Sequence, residues 1–154
     1  HTQMIEIKVP DQNKNIRDQV HEAFQGGKGL IVVASNDQNW NQYMSWVILN
    51  ELNKERSKTI VLIPGDEDQY KPERQMETVE VNNLTSENLV FACAIRDKEK
   101  AIDVLRATES CVVVAIMHCS SPIERFLDMG IGRADIDHSL QVIIQQSCSN
   151  AEVI

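Results

Sequence analysis

A chain of 154 residues, 42% hydrophobic and with only six glycines and four prolines, can bury one sizeable core and is too short for two ordinary ones. Its formal charge of -8 repels phosphate backbones and anionic lipid, and no local basic patch offsets it, so neither nucleic acid nor a membrane surface is an expected partner. No apolar run approaches the roughly 18 to 20 residues of a membrane-spanning helix, and no signal peptide opens the chain. The expectation is a single cytoplasmic domain over 1–154, and a start at His1 and Thr2 without a preceding Met is expected of either an added remnant or an excised fragment of a longer protein.

In chain order, "MIEIKV" (4–9) alternates as a short strand does, and "NIRDQVHEAF" (15–24) places Ile16, Val20, Ala23 and Phe24 on one helical face. The glycines of "QGGKG" (25–29) end that helix. "LIVVA" (30–34) is continuously apolar and β-branched, as in a strand covered on both faces. The polar linker "SNDQNWNQ" (35–42) leads to the helical pattern "MSWVILNEL", with Met44, Val47, Ile48 and Leu52 on its buried stripe.

"TIVLI" (59–63) and "NLVFACA" (88–94) repeat the buried-strand signature. "DKEKAIDVLRA" opens with Asp97 as an N-cap and carries Ala101, Ile102 and Leu105 inward. "CVVVAIM" (111–117) is a further strand, and "PIERFLDMG" (122–130) a helix with Pro at its first position and Gly at its end. "ADIDHSLQVIIQQ" (134–146) has the spacing of a last amphipathic helix. Apolar strands alternating with helices predict a three-layer α/β/α domain with a mostly parallel sheet.

The cysteines at 93, 111, 119 and 148 form no CxxC pair, and three lie in or beside apolar runs. That is the pattern of reduced, buried thiols rather than of a disulfide framework. A metal site of Cys93, His118 and Cys119 has no support from ligand spacing, so packing is the expected role of the thiols and no metal is expected.

Ligands of parallel sheets sit at the carboxyl ends of strands, here Ala34-Ser35, Pro64-Gly65, Ala94-Ile95 and His118-Cys119. A phosphate-cradling loop needs glycines for converging N–H groups and a lysine for the outer phosphates. Ser35, Asn36, Asp37, Gln38, Asn39, Trp40, Asn41 and Gln42 supply neither, and Asp37 and Trp40 oppose a triphosphate by charge and by volume. Asp66, Glu67 and Asp68 could approach a divalent ion, but a solvated acidic turn is the simpler reading. His118 stands alone at its strand end, as a hydrogen-bonded structural histidine more readily than a base.

The order of segments resembles the motor domain of the type II secretion and type IV pilus ATPases, a branch of the RecA-like P-loop fold. The match is densest from Ala94 to Ile131 and spans about 29–146. Ile95, Arg96 and Asp97 match the family's Gly-Glu-Ile-Arg-Asp segment, Ala101 its Glu-Thr-Ala helix and His118 its His-box strand. Arg125, Leu127, Asp128, Met129 and Gly130 match its Arg-Leu-Leu-Asp-Met-Gly helix end, and "HSLQVIIQQ" is similar to the Ser-Leu-x-x-Val-Ile-x-Gln helix that follows. Upstream, "GLIVV" and "LNELNK" resemble the segments flanking its Walker A loop.

The departures fall where that family does chemistry. Its Walker A loop falls on Ser35 to Gln42, with Asn41 at the lysine and Gln42 at the Mg²⁺-coordinating hydroxyl. Its Walker B Gly-Glu falls on Cys93-Ala94, and its Glu-Asp-Pro box on Pro64, Gly65 and Asp66. The segment before Walker B is shortened to "NNLTSEN" (82–88). Of the family's catalytic groups, His118, Arg96 and Asp97 remain.

The resemblance therefore implies a truncated RecA-like domain that is a pseudo-ATPase, with no cofactor. It implies a bacterial, cytoplasmic component of a secretion or pilus machine that binds machine proteins, assembly ATPases among them, at the inner membrane. A divergent domain that binds a ligand, nucleotide or metal in the same cleft, or that keeps residual NTPase activity, is the alternative. A bracing domain of a longer chain is a third reading. Monomer, dimer and mixed ring are not separated by sequence.

Overall fold

A computed structural model of the chain describes residues 4–9, 16, 18, 20, 27–54, 58–66 and 76–146. Six strands form one sheet: β1 (Ile5–Val9), β2 (Gly29–Ala34), β3 (Thr59–Val61), β4 (Asn88–Ala94), β5 (Val112–Met117) and β6 (Leu140–Gln146). Their order is β1-β6-β2-β5-β4-β3, and every pairing is parallel. The helices are α1 (Gln38–Asn53), α2 (Lys98–Ala107), α3 (Pro122–Asp128) and α4 (Arg133–Ser139), with a 3₁₀ turn at Val81–Asn83. Ile16, Asp18 and Val20 are helical, but the rest of the helix expected over 15–24 lies outside the described residues.

The sheet is buried on both faces because β2 and β5 are apolar at every position. On one face Leu30, Val32, Val90, Val113 and Ile143 pack with Ala101, Val104, Phe126 and Ile136 of α2, α3 and α4. On the other, Ile31, Val33, Phe91, Val114 and Ile144 pack with Met44, Ile48, Leu49 and Leu52 of α1, and with Val20. Side chains along the central strands β2, β4, β5 and β6 alternate between these two cores, so the three-layer expectation holds.

Helix α3 ends where its last carbonyls find their donors in the closing residues. Ile131 N–H reaches back to the Phe126 carbonyl (3.0 Å) and Gly130 N–H to that of Leu127 (3.0 Å), a Schellman closure. Gly130 sits at φ +92, which an L side chain rarely adopts.

Three expectations fail, each for a local reason. The last helix ends at Ser139, and "LQVIIQQ" is the strand β6 between β1 and β2. Its spacing suits either form; the β-branched run Val142-Ile143-Ile144 takes the slot that the sheet leaves open. Helix α1 begins at Gln38 rather than near Met44, so the polar linker shrinks to Ser35–Asp37. Asp37 is the reason, since its side chain accepts the Trp40 N–H (3.1 Å) as an N-cap. On α2, Ile102 is 42% exposed, while Val104 and Ala107 are buried alongside Ala101.

Candidate functional site

The carboxyl ends of β2, β4 and β5 open into a cleft beneath the start of α1. Gln38 and Gln42 line it from α1, Phe91, Cys93 and Ala94 from β4, and Ile116 from β5, with Arg96 and His118 just beyond the strands. It offers about 40 Å³ to the centres of water molecules, room for roughly three waters. Phe91 in its lining packs against Trp46 of α1, with ring centroids 5.7 Å apart.

Behind His118 lies a hydrogen-bond network whose centre is Asn41, fully buried in the first turn of α1. Asn41 Nδ2 donates to the Ser35 carbonyl (3.0 Å), which fixes the orientation of the amide. Asn41 Oδ1 then accepts from Ser35 Oγ (2.7 Å), and Ser35 Oγ in turn accepts the Asp37 N–H (3.0 Å). Asn41 Nδ2 also lies 3.2 Å from His118 Nδ1. An amide nitrogen only donates, so Nδ1 is the acceptor and the imidazole carries its proton on Nε2. Ser45 Oγ bonds the Asn41 carbonyl (2.7 Å), one helical turn on.

The electrostatics agree with this tautomer. Burial, and then the neighbouring Arg96 guanidinium, push the His118 pKa below its ordinary value of 6.5. The imidazole is neutral at physiological pH and is held as an acceptor.

Cys93 carries the only positive φ of a described residue other than glycine, +35. It lies where the β4–β5 register shifts between Phe91 and Ala94, a bulge that turns the end of β4 toward the cleft. Cys93 and Cys111 are buried free thiols, and Cys119 is a half-buried one. Burial raises the Cys111 pKa to about 11 against the opposing pull of Lys58, which makes it inert packing. Cys148 lies outside the described residues. Cys93 and His118 share the cleft, whereas Cys119 does not line it. Among the described residues, no three of His, Cys, Asp and Glu are grouped to hold a metal ion.

Other sequence candidates have structural employment. Asp97 caps α2, its carboxylate accepting the Lys100 N–H (2.8 Å), and Arg96 stays exposed at the cleft rim. Asp66 is not in a solvated turn: it is fully buried and ion-paired with Lys100 of α2, which is itself only 12% exposed. Glu67 and Asp68 lie outside the described residues. Trp40, in the first turn of α1, is half-buried against the α1-side core. The roles of Asn41 as keystone and Lys100 as counter-ion carry no sequence signal, because each depends on contacts with residues distant in the chain.

A six-stranded, all-parallel sheet between helical layers, with a strand, a short loop and a helix at the central strand end, is the fold of a P-loop ATPase in truncated form. The ATPase DotB of Legionella pneumophila superposes with a TM-score of 0.53 at 15% identity, over 88% of this chain and 43% of that one. The ATPase DotB of Yersinia pseudotuberculosis gives a TM-score of 0.53 at 12% identity, over 95% and 45%. The chain thus spans less than half the length of either ATPase. No known protein family and no curated protein matches its sequence. Among the described residues, no helix is long and apolar enough to cross a membrane.

Proposed function

We propose that this domain is a catalytically inactive, ATPase-like component of a bacterial secretion or pilus assembly machine. It works by binding other machine proteins, assembly ATPases among them, through surfaces its fold shares with theirs on the cytoplasmic side of the inner membrane. One observation carries the reading: where a phosphate would sit beside the end of β2, Ser35, Asn41 and His118 satisfy one another. Three further features support it. Gln38 to Gln42 are helical rather than a wrapping loop, and the Trp40 and Asn41 N–H groups are already bonded to Asp37. Asp37 places a carboxylate at the helix start. Cys93 and Ala94 offer no ligand for Mg²⁺, which phosphoryl transfer needs.

Titration of the purified domain with ATP·Mg in a calorimeter tests this. The expected result is no heat of binding and no rise in melting temperature. Micromolar binding would overturn the proposal. Asn41→Lys is expected to stay nucleotide-blind, because a lysine alone restores neither the loop nor the metal site. Light scattering of the domain with a cognate assembly ATPase is expected to show a complex.

The strained Cys93 favours a second reading, in which the cleft binds a small ligand between Arg96 and His118, since backbone strain clusters at such sites. A thermal-shift screen over nucleotides and metals separates the two. Stabilisation by any of them that Arg96→Ala abolishes would favour the cleft.

A further inference from the structure

The two edges of the sheet are finished differently. Just past the end of β3, the segment at 77–79 adds one bridge to that edge: Leu62 N–H bonds the Glu77 carbonyl (2.9 Å) and Val79 N–H that of Leu62 (2.8 Å). At the opposite edge β1 pairs with β6 alone, and among the described residues no segment pairs along its outer side. Every second residue of β1 therefore turns its N–H and C=O outward, a template for another strand.

From the outer edge of β1, unpaired among the described residues, we infer that this strand pairs antiparallel with β1 of a second copy about a two-fold axis at Ile7, joining the two described six-stranded sheets into one. The sequence "IEIKV" selects that register. With Ile7 on the axis, Glu6 of each copy faces Lys8 of the other on one side of the sheet, and Ile5 faces Val9 on the other. A shift by two residues sets Glu6 against Glu6 or Lys8 against Lys8. A shift by one sets Ile7 against a charged residue and inverts the alternation. Only the self-complementary register avoids both faults. Glu6 and Lys8 are exposed on their face and Ile5 is 38% exposed on the other. Lys8 also donates to Gln145 Oε1 of β6 (2.5 Å), so pairing with Glu6 of a second copy shares or exchanges that bond.

A five-residue seam is small beside stable interfaces, so a dissociation constant on the order of 100 µM is expected. Sedimentation equilibrium of the full chain, from micromolar to millimolar concentration, should show this monomer–dimer equilibrium, weakening as salt rises. Glu6→Lys sets lysine against Lys8, and Lys8→Glu sets glutamate against Glu6, so each variant alone should be monomeric at about ten times the concentration at which the wild type dimerises. Mixing the two folded variants should restore the dimer, because every opposed pair then has opposite charge. A wild-type monomer at millimolar concentration, or a mixture no more associated than its parts, would overturn the inference. Circular dichroism of each variant shows whether it is folded. If Lys8→Glu is not, the double variant Glu6→Lys/Lys8→Glu serves instead: it should dimerise as the wild type does, and its failure would count against the seam equally.

Discussion

Two strand ends of this sheet solve the same problem by different chemistry. Beyond β2, the buried side chains of Ser35 and Asn41 are satisfied by neutral partners: the Ser35 hydroxyl and carbonyl, the Asn41 amide and a neutral His118. Beyond β3, the buried Asp66 carboxylate is matched by the Lys100 ammonium. The first is a network of modest bonds, each worth roughly 0.5–1.5 kcal/mol net, whose loss is local. The second buries two charges, whose desolvation is recovered only while both are present. Sites that superficially both look filled by the protein itself should therefore break very differently.

The largest effect is expected at the ion pair. Lys100→Met keeps the apolar stem and removes the cation from beside a fully buried carboxylate, which should destabilise the fold by about 3–5 kcal/mol. Adding Asp66→Asn to that variant should return a substantial part, because no charge is then buried. Urea denaturation of the three proteins measures both numbers. A loss under about 1 kcal/mol in the single variant would place this pair with weak surface bridges, against its burial.

At the neutral network the loss should be smaller. Asn41→Ala strips partners from Ser35 and His118, and each buried polar group left unsatisfied costs about 1–3 kcal/mol, less wherever water from the cleft reaches it. Asn41→Asp tests the donor role more narrowly, since a carboxylate cannot donate to the Ser35 carbonyl or to a neutral His118. Its destabilisation should exceed that of Asn41→Ala above neutral pH. Equal stability of all three proteins would mean that the network contributes nothing.

Much of the fold was legible because buried parallel strands advertise themselves: Leu30 to Ala34 and Val112 to Met117 are apolar without a break. What was not legible depends on neighbours far away in sequence. Leu140 to Gln146 reads as helix until β1 and β2 are known to leave a gap, and its Gln145 is made tolerable by Lys8 and by the Ser120 carbonyl, which accepts the Gln145 amide at 2.7 Å. Gln38 to Gln42 reads as loop because its polar side chains face solvent in the first turns of a helix, all but Asn41. Asp66 reads as solvated because Lys100 is 34 residues away. At the candidate site, composition revealed that glycines and lysine are missing from the Ser35 to Gln42 stretch. It could not reveal that Asn41 occupies their place by bonding Ser35 and His118. Nor does a cysteine in an apolar run announce a positive φ, since the bulge at Cys93 arises from the pairing of β4 with β5.

The smallest effect is a pH dependence seated in His118. Burial first, and the Arg96 charge second, lower its pKa in the folded state below the ordinary 6.5. Below 6.5 the unfolded chain takes up the proton before the folded one, so the group's contribution to stability is present above that pH and is lost as pH falls through the folded-state value. The slope of stability against pH is thus positive between the folded-state value and 6.5, and His118→Gln should flatten it there. Arg96→Gln should move the imidazole titration only part of the way back toward 6.5, because burial is the larger cause. An NMR titration of the His118 ring resolves both. A folded-state pKa at or above 6.5 would mean that Asn41 does not hold this imidazole as an acceptor, and the neutral network would lose its third member.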